Sequence, residues 1–340
     1  TEIYTLSLHD ALPIFSMKII EGMINSLKDK YSLLLDSKDY KELTDLLGKE
    51  MFSGFGFVPV IRDDFVYIAS VFPDTPSSKA GLREGDIIIE INGKKIAKMP
   101  LAEIYKLIPL EKGKSISLKI QRAEKKLEFS MKSEEIKIRD FTIEEIDKDI
   151  LYIKVYFFAS DTGKKIYNEL SRLDIKKYKF SIIDLRDNPG GELGSAIDFT
   201  RIFISDEPVI MTENNRGRKV IYGNNFSAIS LPLAMLINNN TMSSAELVAS
   251  CMKQNNRAFL VGEKTYGKGS IQGLFPLDEH FAVRLTVAKF FTPSGEPIDD
   301  IGIKPDAEVT GYEKQFLYAI EYWNNILKAV EIINHGKLTW

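Results

Sequence analysis

Two adjacent serines, Ser243 and Ser244, follow an apolar run (LAMLI, Leu233 to Ile237) and three asparagines. An apolar-periodic segment, AELVAS, comes next. A serine between a buried strand and a helix stands where an α/β sheet presents its reactive groups. To attack, it needs a base within hydrogen-bond reach. Ser243-x-x-Glu246 is equally a capping box, which any helix start can carry, so the residue types alone leave both roles open. The stretch is not G-x-S-x-G, which separates it from the common hydrolase elbow.

No histidine offers itself as the base. The chain has three, and His280 and His335 lie in polar contexts that read as surface. Lys268, in GEKTYGKGSIQG, follows Ser243 by 25 residues. Its neighbours Gly267 and Gly269 permit close backbone approach. A free lysine has a pKa of about 10.4, so roughly one in 2,500 is neutral at pH 7. A useful general base sits near about 7 to 8, and loss of water is how a lysine gets there. A shift of about three units costs about 4 kcal/mol, which the fold must supply. Tyr266, Ile271, Leu274 and Phe275 are the expected apolar surround, and Gln272 carries the amide expected to orient the amine. The loop also reads as Gly262-x-x-x-x-Gly267-Lys268, close to a phosphate-binding loop. Gly269 replaces the required Ser or Thr, however, and SIQGLFPL reads as extended where a helix should follow.

IDLRDNPGG (Ile183 to Gly191) ends a buried strand and leads through Pro189, Gly190 and Gly191 into a helix. Its glycine N–H groups suit an oxyanion hole, and they suit a plain strand-to-helix turn as well. Asp161-Thr162-Gly163 occurs once and starts a helix, so it reads as a cap and not as an aspartic-protease triplet. Cys251 shares a stripe with Leu247 and Val248 and is expected to be buried. Gly54, Phe55, Gly56 and Phe57, with KAGLREGDIIIEING downstream, suggest a glycine-containing loop whose N–H groups meet a peptide carboxylate. The adjacent strand edge would then pair with the extended peptide.

The elements that must position these groups come in three stretches. Phe15 to Glu50 reads as helical, with Ile20, Met23, Ile24 and Leu27 on one stripe and a second helix over 37–50 capped by Ser37. From about Met51 to Ser133, short β-rich runs bounded by Gly, Pro and Asp enclose two helices, SSKAGL and LAEIYKLI. From there strand and helix alternate, which predicts parallel strands with helical crossovers. The strand FAVRLTVAKFF is expected to be half-buried, with Val283, Leu285 and Val287 on one face, and an amphipathic helix closes the chain.

Composition sets outer bounds. With 340 residues, 44% hydrophobic, 27% charged and a net charge of −3, the chain reads as globular, without the basic face of a nucleic-acid binder. One cysteine rules out an internal disulfide, and no metal-ligand spacing appears. Thr1 to Ile14 (TEIYTLSLHDALPI) resembles, residue for residue, one reading-frame translation of a common sequencing-library adapter, and is read as a cloning or assembly scar. His9 and Asp10 are therefore left out of the chemistry, and the true start is expected upstream.

Taken together, these pieces resemble the C-terminal processing peptidases, or tail-specific proteases, over about Ile19 to Asp306. IIEGMINSLKDKYSLLL is similar to the segment before that family's PDZ domain, and GFGF with AGLREGDIIIEING to the PDZ domain itself. IDLRDNPGG, TMSSAE, GEKTYGKGSIQ and FFTPSGEPIDDIGIKPD are similar to the four blocks of the protease core. The resemblance implies an α/β fold: a crotonase-like protease core with an inserted small PDZ domain and N-terminal helices. The implied divisions are 1–14 (scar), 15–50 (helical), 51–133 (PDZ), 134–312 (protease core) and 313–340 (C-terminal helix). It implies a serine–lysine dyad whose serine lies 25 residues before its lysine, which selects Ser243 over Ser244. Lys268 becomes the base, Gln272 its positioning residue, and Ser244 with Gly190 or Gly191 the oxyanion hole. Protein substrates with free apolar C-termini, no cofactor, no metal, no nucleic acid and an extracytoplasmic location are the corresponding expectations. A homo-oligomer is compatible with the resemblance. The chain departs from the family at Ser244-Ala245, where Ala-Ser is usual, and at Lys264, where proline is usual. The rival reading is an inactive PDZ binding module on the same scaffold.

Overall fold

The computed structural model describes residues 8–29, 31–37, 39–41, 44, 51–62, 65–99, 101–137, 139–223, 229–278 and 281–334. Helix α1 spans Leu8–Ser26 and so begins inside the stretch read as a scar. Its expected stripe is not a buried one: Ile24 is buried, but Met23 is 65% and Leu27 59% exposed. The leucines expected to extend the helix form strand β1 (Leu33–Asp36) instead, antiparallel to Phe281–Arg284. A short apolar run satisfies either periodicity, and an open sheet edge decided this one. Asp36, not Ser37, accepts the Asp39 N–H (2.7 Å). The second helix expected over 37–50 lies mostly outside the described residues.

The next unit is built from β2 (Met51–Gly54), β3 (Phe57–Arg62), β4 (Phe65–Val71), α2 (Pro76–Ala80), β5 (Ile87–Ile91), β6 (Lys94–Lys95), α3 (Leu101–Lys106), β7 (Ser115–Arg122), β8 (Lys125–Lys132) and β9 (Glu134–Lys137). Its main sheet runs β3-β4-β5-β7-β8, and β2 pairs with β9. Strand β7 shows why: Ile116, Leu118 and Ile120 alternate with polar residues and are all buried, the period-two pattern of a one-sided sheet. Strand β3 lies at the sheet edge.

The larger unit contains β10 (Phe141–Ile146), β11 (Ile150–Val155), α4 (Thr162–Leu170), β12 (Phe180–Asp184), α5 (Leu193–Thr200), β13 (Pro208–Asn214), β14 (Gly217–Tyr222), β15 (Leu233–Ile237), α6 (Ser244–Gln254), β16 (Ala258–Gly262), β17 (Ser270–Pro276), β18 (Phe281–Phe291), β19 (Ala307–Glu308) and α7 (Tyr312–Asn334). One sheet runs β10-β11-β12-β15-β16-β19, parallel from β11 onward. Strands β12 and β15 are buried along their whole length because both faces are covered. Ile183, Met235 and Ile237 pack with residues of α4, α5 and α6, whereas Ile182, Ala234 and Leu236 pack with Phe316, Ala319, Ile320 and Trp323 of α7. A second sheet, β1-β18-β13-β14 with β17 beside β18, flanks the first. In β18, Val283 is buried but Val287 is 42% exposed, so the expected apolar face is only partly realised. The smaller unit meets the larger through Phe72, whose ring lies 6.3 Å from that of Tyr156 and 6.1 Å from that of Phe157.

Candidate active site

The parallel strands deliver three loops to one end of the sheet. From β15 comes Asn238-Asn239-Asn240-Thr241-Met242, and from β12 comes Leu185 to Gly191. Side-chain amides lace the two together. Asn238 accepts the Asp187 N–H (3.0 Å) and donates to Asp187 Oδ1 (2.8 Å), to which Asn240 also donates (2.7 Å). The Thr241 hydroxyl donates to the Leu185 carbonyl (2.9 Å), and Met242 N–H to the Asn188 carbonyl (2.9 Å). The asparagine run thus spends its polar groups on the neighbouring turn.

Ser243 sits at the N-cap of α6 with φ 56° and ψ −124°. A non-glycine residue in such a region stores on the order of 1–3 kcal/mol and persists only where its surroundings over-determine it. The surroundings are visible. The buried Glu246 carboxylate accepts the Ser243 N–H (2.9 Å), the Lys268 N–H (2.8 Å), the Gly267 N–H (2.6 Å) and the Thr265 hydroxyl (2.6 Å). The capping reading is therefore right for Glu246, and its carboxylate does more: it ties the backbone of Ser243 to that of Lys268. Burial pushes this carboxyl above the usual carboxylate range, while the bonds from Thr265, Lys268, Gly267 and Ser243 pull against it. The two serines differ in access. Ser243 is half-buried, whereas Ser244 is buried and its hydroxyl donates to the Gly191 carbonyl (3.4 Å).

The glycine turn closes over the serine. A Cβ on Gly190 would come within 2.8 Å of Ser243 Cβ and 3.0 Å of Ser244 N, so only glycine fits there. Gly190 spends its N–H on Asn188 Oδ1 (2.8 Å). Among the described residues, the N–H groups of Gly191 and Ser244 donate to no protein acceptor.

Lys268 lies on the third loop, where Gly267 (φ 92°) and Gly269 pass so close to residues 299–302 that a Cβ on either would crowd their backbone. Burial first, and then the Arg284 guanidinium, pull its amine down to about 8, against Glu246 and Asp29, which pull it up. The expected surround is mostly not what encloses it: Tyr266 is 44% and Phe275 46% exposed. Instead its Nζ lies 4.9 Å from the centre of the Tyr31 ring. Tyr31 arrives there because β1 pairs with β18, Arg284 Nε donates to the Tyr31 carbonyl (3.1 Å), and Thr286 N–H donates to the Ser32 hydroxyl (3.1 Å). Gln272 lies on β17 opposite Thr286, and its amide donates to Ser270 Oγ (2.9 Å) and Thr286 Oγ1 (3.4 Å). No hydrogen bond joins Lys268 Nζ to Ser243 or to Gln272 among the described residues. His280 and His335 lie outside them.

In the smaller unit, Gly54 ends β2 and pairs with Glu134, so it belongs to a strand and not to the loop. Phe55 is buried in the core, and Gly56 (φ 81°) packs so closely on Thr75 that no side chain fits. Phe57 opens edge strand β3.

A family model described as Peptidase family S41 matches residues 149–309, and one described as PDZ domain matches residues 67–122. The carboxy-terminal-processing protease of Bartonella bacilliformis is 34% identical over 307 residues, covering 86% of this chain and 70% of that protein. This chain belongs to peptidase family S41. Within that family, the carboxy-terminal processing protease CtpA of Bacillus subtilis is 33% identical over 300 residues, covering 87% of this chain and 64% of its own length. The chain thus spans somewhat under two thirds of that relative. A solved photosystem II D1 C-terminal processing protease shares the fold, with a TM-score of 0.72 at 22% identity over 87% of this chain and 82% of that one.

Against this family background, three features of the site had no signal in the sequence. Glu246 was legible as a cap but not as the link to the lysine loop. Asn188 holds the turn from below, donating to the Val155 carbonyl (2.9 Å) while accepting from Gly190. Tyr31 belongs to a segment that reads as helix, and nothing local announces that it meets Lys268. Cys251 is buried as expected, and burial pushes its thiol up to about 12. Asp161 takes the N-cap position of α4, but its carboxylate pairs with Lys165 (3.1 Å) and leaves the cap unmade.

Proposed function

We propose that this chain is a serine endopeptidase that captures the apolar C-terminus of a protein through its PDZ unit and cleaves by a Ser243–Lys268 dyad. The observation that carries this reading is the Glu246 knot. One buried carboxylate fixes the backbone of an accessible, strained serine and that of a half-buried lysine whose amine is drawn down to about 8. At pH 7 an amine with that pKa is neutral about one time in ten, against roughly one in 2,500 for a free lysine.

In the proposed cycle Ser243 Oγ attacks the scissile carbonyl as Lys268 takes its proton. The oxyanion forms against the N–H groups of Ser244 and Gly191. Gly191 is preferred over Gly190, whose N–H is already engaged by Asn188. Lys268 returns the proton to the leaving amine, and water then releases the acyl group from Ser243. Both catalytic side chains must swing into contact on substrate binding, which is common where the free-state geometry is loose. Gln272 would exchange its bonds to Ser270 and Thr286 for one to the lysine amine. No step needs a metal or cofactor. In the PDZ unit, the N–H groups of Phe55 and Gly56, which donate to no acceptor among the described residues, suit the terminal carboxylate, and the open edge of β3 suits the extended peptide. A crotonase-like core, domain divisions at 51–133 and 134–312, and action outside the cytoplasmic membrane complete the proposal; a homo-oligomer is compatible with it.

The test is cleavage of a peptide with an apolar C-terminus by the wild type, Ser243→Ala and Lys268→Ala. Each substitution should lower kcat by on the order of 10⁴-fold or more. Full activity in either would sink the dyad. A wild type inert towards every unfolded substrate would favour the inactive binding module. An amidated peptide should be cut more slowly, and equal rates would remove the PDZ role.

A further inference from the structure

Among the described residues, Glu84 brings the PDZ unit against the catalytic turns. Glu84, in the loop before β5, is half-buried at the junction, with its Oε1 near the Val71 N–H (3.4 Å) and its carboxyl against that of Asp187. Asp187 is almost wholly buried and has φ 58°. Its Oδ1 accepts both asparagine amides, but its Oδ2 is buried and, among the described residues, meets no assigned donor. A buried acceptor without a donor is destabilising. A proton on Glu84 would supply that donor.

The charges around the pair support this. Lys154 on β11 is buried and donates to Asp184 Oδ1 (3.3 Å) and the Arg186 carbonyl (2.6 Å), with its ammonium 5.7 Å from the Tyr156 ring. Arg186 forks onto Asp184, and the Tyr152 hydroxyl donates to the same carboxylate (2.8 Å). Although burial pushes Asp184 up, Lys154 and Arg186 hold it at about 2, so it stays charged. Glu84, Asp184 and Asp187 thus face two cations, Lys154 and Arg186, and one added proton balances the cluster. The facing loop adds only the neutral amides of Asn238 and Asn240. Burial, and then the Asp187 charge, push Glu84 up to about 8, and burial raises Asp187 as well.

We propose that Glu84 is a positioning residue for catalysis: its carboxyl and that of Asp187 share one proton across the junction, and this bond holds the turn that carries Gly191. Asp187 is the handle, because Asn188 next to it fixes Gly190 and receives Met242, the residue before the nucleophile. The inference rests on the Ser243–Lys268 reading and extends it to the PDZ unit. Its pH sense follows from the pair. Glu84 holds its proton in the folded protein where the unfolded chain has lost it, so the contribution is complete at low pH and is lost as pH rises through about 8.

The test compares the wild type, Glu84→Gln and Glu84→Ala from pH 6.5 to 9.5. Glutamine donates to Asp187 at every pH, so Glu84→Gln should keep neutral-pH kcat and lack the alkaline fall of the wild type. Glu84→Ala should lower kcat roughly tenfold at pH 7, as expected for lost positioning, with KM little changed. A second readout needs no catalysis: amide hydrogen exchange over residues 186–191 in a Ser243→Ala background, taken at each pH as the ratio of Glu84 to Glu84→Gln protein, so that the chemical pH dependence cancels. The ratio should be near one at pH 6.5 and rise several-fold by pH 9.5. Superimposable pH profiles for the wild type and Glu84→Gln, or a flat exchange ratio, would overturn the role of Glu84. Retained activity in Ser243→Ala would instead overturn the dyad and leave the exchange ratio to judge Glu84 by itself.

Discussion

Two buried carboxyl groups flank the catalytic turns, and they are built in opposite ways. Among the described residues, Glu246, beneath Ser243 and Lys268, accepts from three backbone N–H groups and a hydroxyl. Glu84, at the PDZ junction, meets one long N–H contact and another carboxyl. A carboxylate ringed by donors is held in the frame by bonds that favour its charged form, against the burial that raises its pKa. A carboxyl facing a carboxyl holds only while a proton lies between them. The difference separates a rigid catalytic frame within the core from a breakable link between the core and the unit proposed to sense substrate.

The comparison can be broken first at its strong end. Glu246→Gln turns an amide N–H toward buried donors, and each donor left unpaired costs about 1–3 kcal/mol. A fall in kcat of around 100-fold is expected, as for an ångström-scale misplacement of the reacting groups, with a lower Tm. Unchanged kcat and Tm would show that the knot does not hold the dyad. An effect of intermediate size is expected at Tyr31, which covers the lysine. The depression of Lys268 from 10.5 to about 8 corresponds to about 3 kcal/mol. The ring's attraction for the ammonium, about 2 kcal/mol in a desolvated site, acts in the other direction. Burial wins, so Tyr31→Ala should raise the Lys268 pKa. The proposed dyad needs the neutral amine, so the rising limb of kcat/KM should move to higher pH by about one unit, and an unmoved limb would remove Tyr31 from the site. The smallest effect belongs to the junction. Asn240→Ala removes one of the two amides that stabilise charged Asp187. The pair should then keep its proton to higher pH, moving the alkaline fall up by a fraction of about one unit; a downward move would reverse the assigned coupling.

Much of the frame can be read from the chain. LAMLI is a continuous apolar run because both faces of a parallel strand are covered, and FSIID is apolar at Phe180, Ile182 and Ile183 and buried throughout; Ile166 and Leu170 mark the buried face of α4 by their spacing. The helix start at Ser243 and Glu246 is equally local. The lysine's surroundings are not local. Ile271 and Leu274, close in sequence, pack elsewhere or stay half-exposed, while the covering ring comes from far upstream through the pairing of β1 with β18. The leucines of β1 misled for the same reason: a three-residue apolar run carries no period long enough to tell a helix from an edge strand.

By itself, the sequence determined which groups exist and in what order: a serine at a strand-to-helix turn, a lysine between glycines 25 residues on, and a glycine turn before them. Those features depend on residue type and on local backbone preference, which act over a few neighbouring residues. Only the tertiary structure decided how the groups are tuned. It buried the lysine against Tyr31, engaged the Gly190 N–H with Asn188, and set Glu84 against Asp187. Desolvation and charge proximity set those properties. Both are summed over everything that packs nearby, whatever its distance along the chain.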